Sequence, residues 1–190
     1  MAELMIDMIT SLDGYAAAEG WPGWWGLEGP EYFAWLEEDG KIERTLLMGA
    51  TTYRLMYGFS ASTEGVDELN AASKVVFSST LDEPLEWENT TLVRGDAVEA
   101  VRAMKAESDV RLSTLGSLSL CRSLLTAGLV DRYRVVVFPV VTGVTGREHV
   151  YDGWPDVALD LIESRTFDGR SQLLDYRPRL LDGPLSSGSA

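Results

Sequence analysis

Residues 109–141 read DVRLSTLGSLSLCRSLLTAGLVDRYRVVVFPVV, and this stretch decides the fold. Val110 and Leu112 form a short apolar run, Gly116 and Ser117 make a small-residue turn, and Leu118, Cys121 and Leu125 then recur at helical spacing. Gly128 is placed to end that helix in a left-handed conformation. Residues 131–134 lead into VVVF (135–138), an unbroken apolar run typical of a strand covered on both faces. Strand, crossover helix and buried strand make a βαβ unit. Such a unit aims its first turn and its helix N-terminus at whatever lies above the sheet, usually a phosphate.

Outward from this unit, the chain reads as one α/β domain. A length of 190 residues with 45% hydrophobic content suits a single sizeable core. The net charge of −14 argues against nucleic acid or an anionic membrane surface as partner, because nothing would neutralise the phosphates. A lone cysteine, Cys121, excludes an internal disulfide, and the first residues carry neither a basic region nor a long apolar segment, so the expected location is the cytoplasm. With one His (His149) and one Cys, far apart, no metal site or Cys/His nucleophile is expected. The GxxxxGK[ST] run of phosphate-loop NTPases is missing, as is the GxGxxG fingerprint of the Rossmann fold.

In chain order, LMIDMIT (4–10) is a buried first strand, followed by a loop with Asp13 and Gly14 where α/β folds place ligands. EGWPGWWGLEGP (19–30) is too rich in Gly, Pro and Trp for a regular element. Its Trp21, Trp24 and Trp25 could pack over a flat ring or form a lid on the core. Pro30 opens a helix over 31–39 whose Tyr32, Phe33, Trp35 and Leu36 form a wide apolar face. TLLMG (45–49) is a second strand, and Ala50, Thr51, Thr52 and Tyr53 open a short helix that Gly58 stops. A polar loop over 59–73 precedes the strand KVVF (74–77), which ends in Ser78, Ser79 and Thr80; a further strand spans 87–93. Asp96 and Glu99 match a capping box before a helix that turns Val98, Val101 and Met104 inward. Asp168-Gly169 joins strands over 159–167 and 171–176 into an antiparallel hairpin, and the tail after 178 is expected to be disordered.

Three strand ends therefore carry Gly or hydroxyl residues: Gly49 to Thr52, Ser78 to Thr80, and Gly116 to Ser117. Capping explains any one of them; three along one chain suggest an extended anionic ligand such as a dinucleotide.

SLDGYAA, LMGATTY, VVFSST, NTTLVRGDAVEAVRAMKAE and LGSLSLCRSLLTAGLVDRYRVVVFPVVTG resemble, in matching order, the dihydrofolate reductase-like family, in particular its branch related to the reductase domain of riboflavin biosynthesis deaminase-reductases. The resemblance covers roughly residues 1–178 and implies one domain of three layers: a mostly parallel sheet, ending in an antiparallel hairpin, flanked by helices. It implies an oxidoreductase that passes a hydride from NADPH to a small heterocycle, as the phosphoribosylamino-uracil reductases or dihydrofolate reductases do. A homodimer is also expected, and residues 135–141 are a stretch through which a sheet could run on into a second chain.

Residue by residue, the resemblance places Gly49, Ala50, Thr51 and Thr52 at the family's Gly-Arg-x-Thr cofactor motif. Ser78, Ser79 and Thr80 fall beside the adenosine ribose and its phosphate, Gly116, Ser117 and Leu118 at the pyrophosphate turn, and Ala17 also on the cofactor. Two departures stand out. Ala50 replaces the arginine that grips the 2′-phosphate, which opens the site to NADH, and Leu118 stands where many members have a second glycine. On the substrate side PEYFAWL resembles the pterin-binding helix, yet Tyr32 occupies the carboxylate's place and Glu31 is turned about 100° away, so dihydrofolate itself is not the expected substrate. Asp13 and Tyr32 are the candidate catalytic residues, and Trp25, Glu31 and Arg147 the candidate substrate contacts. The alternative is a nucleotide-binding or regulatory module that keeps the fold with altered chemistry; Ala50 and Leu118 favour it.

Overall fold

The first strand is apolar on both sides because it lies inside the sheet. In β1 (Leu4–Ser11), Leu4, Ile6 and Met8 face one helical layer, and Asp7 and Ile9 face the other. The computed structural model describes residues 1–20, 24–63 and 66–183, so Trp21 and most of the C-terminal tail lie outside the described residues. After β1 come β2 (Tyr15–Ala18), α1 (Pro30–Gly40), β3 (Arg44–Gly49), α2 (Ala50–Ser62), α3 (Asp67–Ala71), β4 (Ser73–Phe77) and β5 (Thr90–Val93). The second half adds α4 (Ala97–Glu107), β6 (Arg111–Thr114), α5 (Leu118–Thr126), β7 (Arg132–Phe138), β8 (Gly146–His149), β9 (Val157–Phe167) and β10 (Ser171–Leu180).

The main sheet runs β5-β4-β3-β6-β1-β7-β10-β9. Its first six strands are parallel, and β10 and β9 are antiparallel. One face, with Leu47, Leu112 and Tyr133, packs on Leu120, Cys121 and Leu124 of α5 and Val101 of α4. The opposite face packs Val136 and Phe138 on Tyr32 of α1, and Leu46, Met48 and Val76 on Tyr53 of α2. The result is the expected three-layer α/β fold. Outside it, β2 and β8 form a separate antiparallel ribbon.

The βαβ unit exists as β6, α5 and β7, with β1 inserted between its two strands. The structure corrects several boundaries. Helix α2 continues through Gly58 to Ser62, since Tyr57 stacks on Tyr53 and buried Ser60 anchors the last turn. The region read as a polar loop thus holds that turn and α3. The strand expected from residue 87 begins at Thr90; Trp87 is instead a buried plug whose Nε1 donates to Asn70. Asp96 caps α4 through the Val98 and Glu99 amides, but Glu99 reaches Arg102 in place of closing the box.

Strand β7 starts at Arg132 and ends at Phe138 before Pro139, which has no N–H for a ladder. Arg132 and Arg134 fit inside a buried strand because Asp175, Asp7 and Asp39 receive their guanidinium groups. Because β7 lies between β1 and β10, it has no free edge, and a dimer sheet through residues 135–141 is ruled out. Strand β10 runs to Leu180, and Leu181 N–H donates to the Asp156 carbonyl.

Candidate active site

Six parallel strands bring six loops to one edge, and every strand end singled out in the sequence lies there. Across that edge stand Arg94 after β5, Ser78 after β4, Gly49 at the end of β3, Leu115 after β6, Asp13 after β1 and Val140 after β7. From β3 the chain enters α2 on one face and moves outward to β4; from β6 it enters α5 on the other face and crosses to β7. Connections that part in this way open a crevice between the two strands.

Two helix N-termini meet in that crevice. Gly49 N–H donates to Ser117 Oγ at 2.8 Å, and Ser117 Oγ donates to Thr52 Oγ1 at 2.7 Å. Gly116 (φ 55) and Ser117 (φ 60) are both left-handed, which turns the chain sharply from β6 into α5. A Cβ on Gly116 would sit 3.4 Å from the Thr52 side chain, in contact with it, and the left-handed φ is what favours glycine here. The first-turn amides of both helices lack helical partners and carry the positive end of the dipole, a ready anion cradle. Leu118 packs its side chain against the core between the sheet, α4 and α5. Thr51 is exposed on the first turn of α2, beside Ala50.

Beyond β3, Ser78 Oγ accepts from the Thr80 and Leu81 amides at 3.1 and 3.2 Å and lies 3.3 Å from Thr80 Oγ1. The Ser79 carbonyl accepts from Arg94. Thus Gly49 to Thr52, Ser78 to Thr80 and Gly116 to Leu118 share one edge of the sheet.

At the β1 end, Asp13 accepts from Ser11 Oγ (2.6 Å), Gly143 N (2.8 Å) and Thr142 N (3.1 Å). The Ser11 hydroxyl above all, with the Gly143 and Thr142 amides, outweighs burial and lowers the Asp13 carboxyl from 3.8 to about 2. An anion so held fastens the loop after β7 to the end of β1 and is a poor proton donor near neutrality. A lowered carboxyl stabilises the fold above its ordinary value, and that contribution is lost as pH falls through the folded value. The stability difference between wild type and Asp13→Asn is therefore expected to be full above about pH 4 and to shrink toward pH 2 in urea titrations. A difference independent of pH in that window would contradict the anchor.

The remaining candidates divide. Trp25, left-handed at φ 52, packs its ring on Phe138 at 5.7 Å, at the end of β7. Tyr32 is buried among Phe138, Phe167 and Trp35. Glu31 is tied to the β9–β10 turn: its N–H and that of Tyr32 donate to the Asp168 carboxylate, while its own carboxylate accepts from Asp168 N–H. Asp168 thus caps α1 from another element, and Gly29 gives it room, since a Cβ there would lie 2.3 Å from the carboxylate. Ala17 and Arg147 are paired on the β2–β8 ribbon, with Arg147 bonded to Glu19 at 3.0 Å. The sequence reading missed the capping role of Asp168, visible only as a turn residue, and Arg94, whose lone signal is a cation directly after a strand. Among the described residues no His/Cys/Asp/Glu cluster could hold a metal, and no helix is long and apolar enough to cross a membrane.

The fold and this edge define a dihydrofolate reductase-like α/β protein. The chain belongs to the family of the RibD C-terminal domain, whose model matches residues 2–173. It is similar to YyaP of Bacillus subtilis, an uncharacterized protein, with 24% identity over 172 residues, 86% of this chain and 88% of the other. Among solved structures, a protein of Shewanella sp. PV-4 assigned to riboflavin biosynthesis superposes with TM-score 0.75 at 23% identity, covering 94% of this chain and 99% of its own. The dihydrofolate reductase of Enterococcus faecalis, solved with NADP(H), superposes with TM-score 0.62 at 15% identity over 93% of this chain and 96% of its own. These likenesses carry the fold, and a reductase type of activity accords with it.

Proposed function

We propose that this chain is a reductase that binds NADPH across the strand-end edge and passes a hydride to a small heterocycle. The observation that carries the reading is the meeting of the α2 and α5 N-termini through Gly49, Ser117 and Thr52. Amides and hydroxyls without a basic cluster suit a pyrophosphate, and the space that a Gly116 side chain would take suits its close approach. Gly49, Ala50, Thr51, Thr52, Gly116, Ser117 and Leu118 would hold that pyrophosphate; Ser78, Ser79 and Thr80 would hold the adenosine end, and Ala17 would line the nicotinamide end. When bound, the cofactor supplies the hydride. The chain's own residues position the partners and keep water out.

On the substrate side we place the heterocycle against Trp25 near the end of β7, with Arg147 at the rim. Asp13 acts as a positioning residue, because its low pKa leaves the proton to Tyr32 or a bound water. Glu31 serves the α1 cap instead of substrate. The buried thiol of Cys121, pushed up to about 11 by burial, is inert and compatible with a reducing cytoplasm. We place the interface of a homodimer on a surface other than β7, whose two edges β1 and β10 occupy.

NADPH is expected to quench tryptophan fluorescence with saturable micromolar binding and to be oxidised in the presence of aminopyrimidine or pterin-type heterocycles. No binding at millimolar NADPH would overturn the reading. Tight binding without turnover of any such acceptor would favour the regulatory module, for which Ala50 remains the specific sign.

A further inference from the structure

We propose that Arg94 reads the 2′-phosphate of the cofactor and so makes the chain selective for NADPH over NADH; the inference rests on the dinucleotide reading above. The cation that the family carries in its Gly-Arg-x-Thr motif is absent, since Ala50 occupies the first position of α2. Arg94 stands two strands away on the same edge: Gly49 pairs with Phe77, and Phe77 with Val93. At about 4.8 Å per strand, roughly 10 Å separates the ends of β3 and β5, and a guanidinium lying over the intervening turn spans half of it.

The Arg94 guanidinium is held over that turn. Its Nη2 donates to the Leu81 carbonyl at 2.6 Å and its Nη1 faces the Ser79 carbonyl at 3.4 Å, across the loop that Ser78 Oγ closes. Both partners are neutral carbonyls, so among the described residues its charge meets no carboxylate, although the chain carries a net charge of −14. An arginine has five N–H donors, and two carbonyls leave several for an anion. A phosphate held by the Ser78 and Ser79 hydroxyls would lie beside this cation, and a guanidinium offers two parallel bonds where a methyl group offers none. Arg54, farther along α2, serves as the control cation.

The experiment is a fluorescence titration of the full chain and its variants with NADPH and with NADH. Wild type is expected to prefer NADPH by about tenfold or more, and Arg94→Ala to lower that ratio by about tenfold, through NADPH alone, with NADH affinity within about twofold. Arg94→Lys should keep part of the preference as a point charge, and Arg54→Ala all of it. Equal weakening of both nucleotides by Arg94→Ala would show that Arg94 only clamps the turn and would overturn the proposal. A wild type without preference, or loss of preference in Arg54→Ala alone, would overturn it too. Binding of neither nucleotide by wild type would instead remove the dinucleotide reading on which the proposal stands.

Discussion

Gly116→Val is expected to weaken NADPH binding roughly 100-fold, the equivalent of losing one or two charge-assisted hydrogen bonds. The reasoning is local. At φ 55 a residue with a Cβ is strained by about 1–2 kcal/mol, and a branched one more. The Cβ would stand 3.4 Å from the Thr52 side chain, and the branches beyond it would crowd the hydroxyl that joins the α2 and α5 turns, so relief of the backbone strain is expected to shift the amides that face the crevice. Strain and binding are separable through Gly128→Val, since Gly128 has φ 66 but lies at the far end of α5, at the opposite edge of the sheet. Both variants should lose stability in urea, and only Gly116→Val should lose affinity. Equal affinity in the two would place the nucleotide elsewhere.

The largest effect on stability is expected from Arg134. Its guanidinium bridges the α1 face of the sheet, donating to Asp7 from Nε at 3.0 Å and to Asp39 from Nη1 and Nη2 at 2.7 and 2.9 Å, while lying over the Trp35 ring. Arg44 closes the cluster on Asp39 at 2.8 Å. Burial alone would raise the Asp39 carboxyl, yet the two arginines hold it below the ordinary carboxylate range. Arg134 is only 6% exposed, so Arg134→Met leaves Asp7 without its guanidinium and Asp39 with Arg44 alone. Breaking a buried pair on one side costs about 3–5 kcal/mol, and urea denaturation should show a loss of that order. Adding Asp7→Asn should recover part of it, because part of the cost lies in the charge left without its partner, while Asp39 keeps Arg44. A loss below about 1 kcal/mol would mean that the cluster behaves as a surface ion pair.

Arg134 also shows what the sequence could not reveal. An arginine just before VVVF reads as the end of a loop, because the carboxylates that make it tolerable in a strand lie 127 and 95 residues away. The extent of α2 was hidden for a similar reason. Glycine in a helix costs about 1 kcal/mol, so Gly58 reads as a stop, but packing of Tyr53 and Tyr57 against Trp87 carries the helix past it. By contrast, the parallel sheet was legible in the apolar runs at 4–10, 45–49, 74–77 and 135–138, and the terminal hairpin in Asp168-Gly169. Glycines and hydroxyls at strand ends marked one edge correctly, because parallel strands all end on the same side. The insertion of β1 between β6 and β7 left no local trace, since strand order is a property of the assembled sheet.

The most direct test is a map of backbone amide NMR shifts as NADPH is added to the full chain. Shifts concentrated at Gly49 to Thr52, Ser78 to Thr80 and Gly116 to Leu118 are the expected result. Shifts confined to the opposite edge, around Glu3, Ile42 and Arg111, or none at all, would contradict a dinucleotide site in the crevice between β3 and β6.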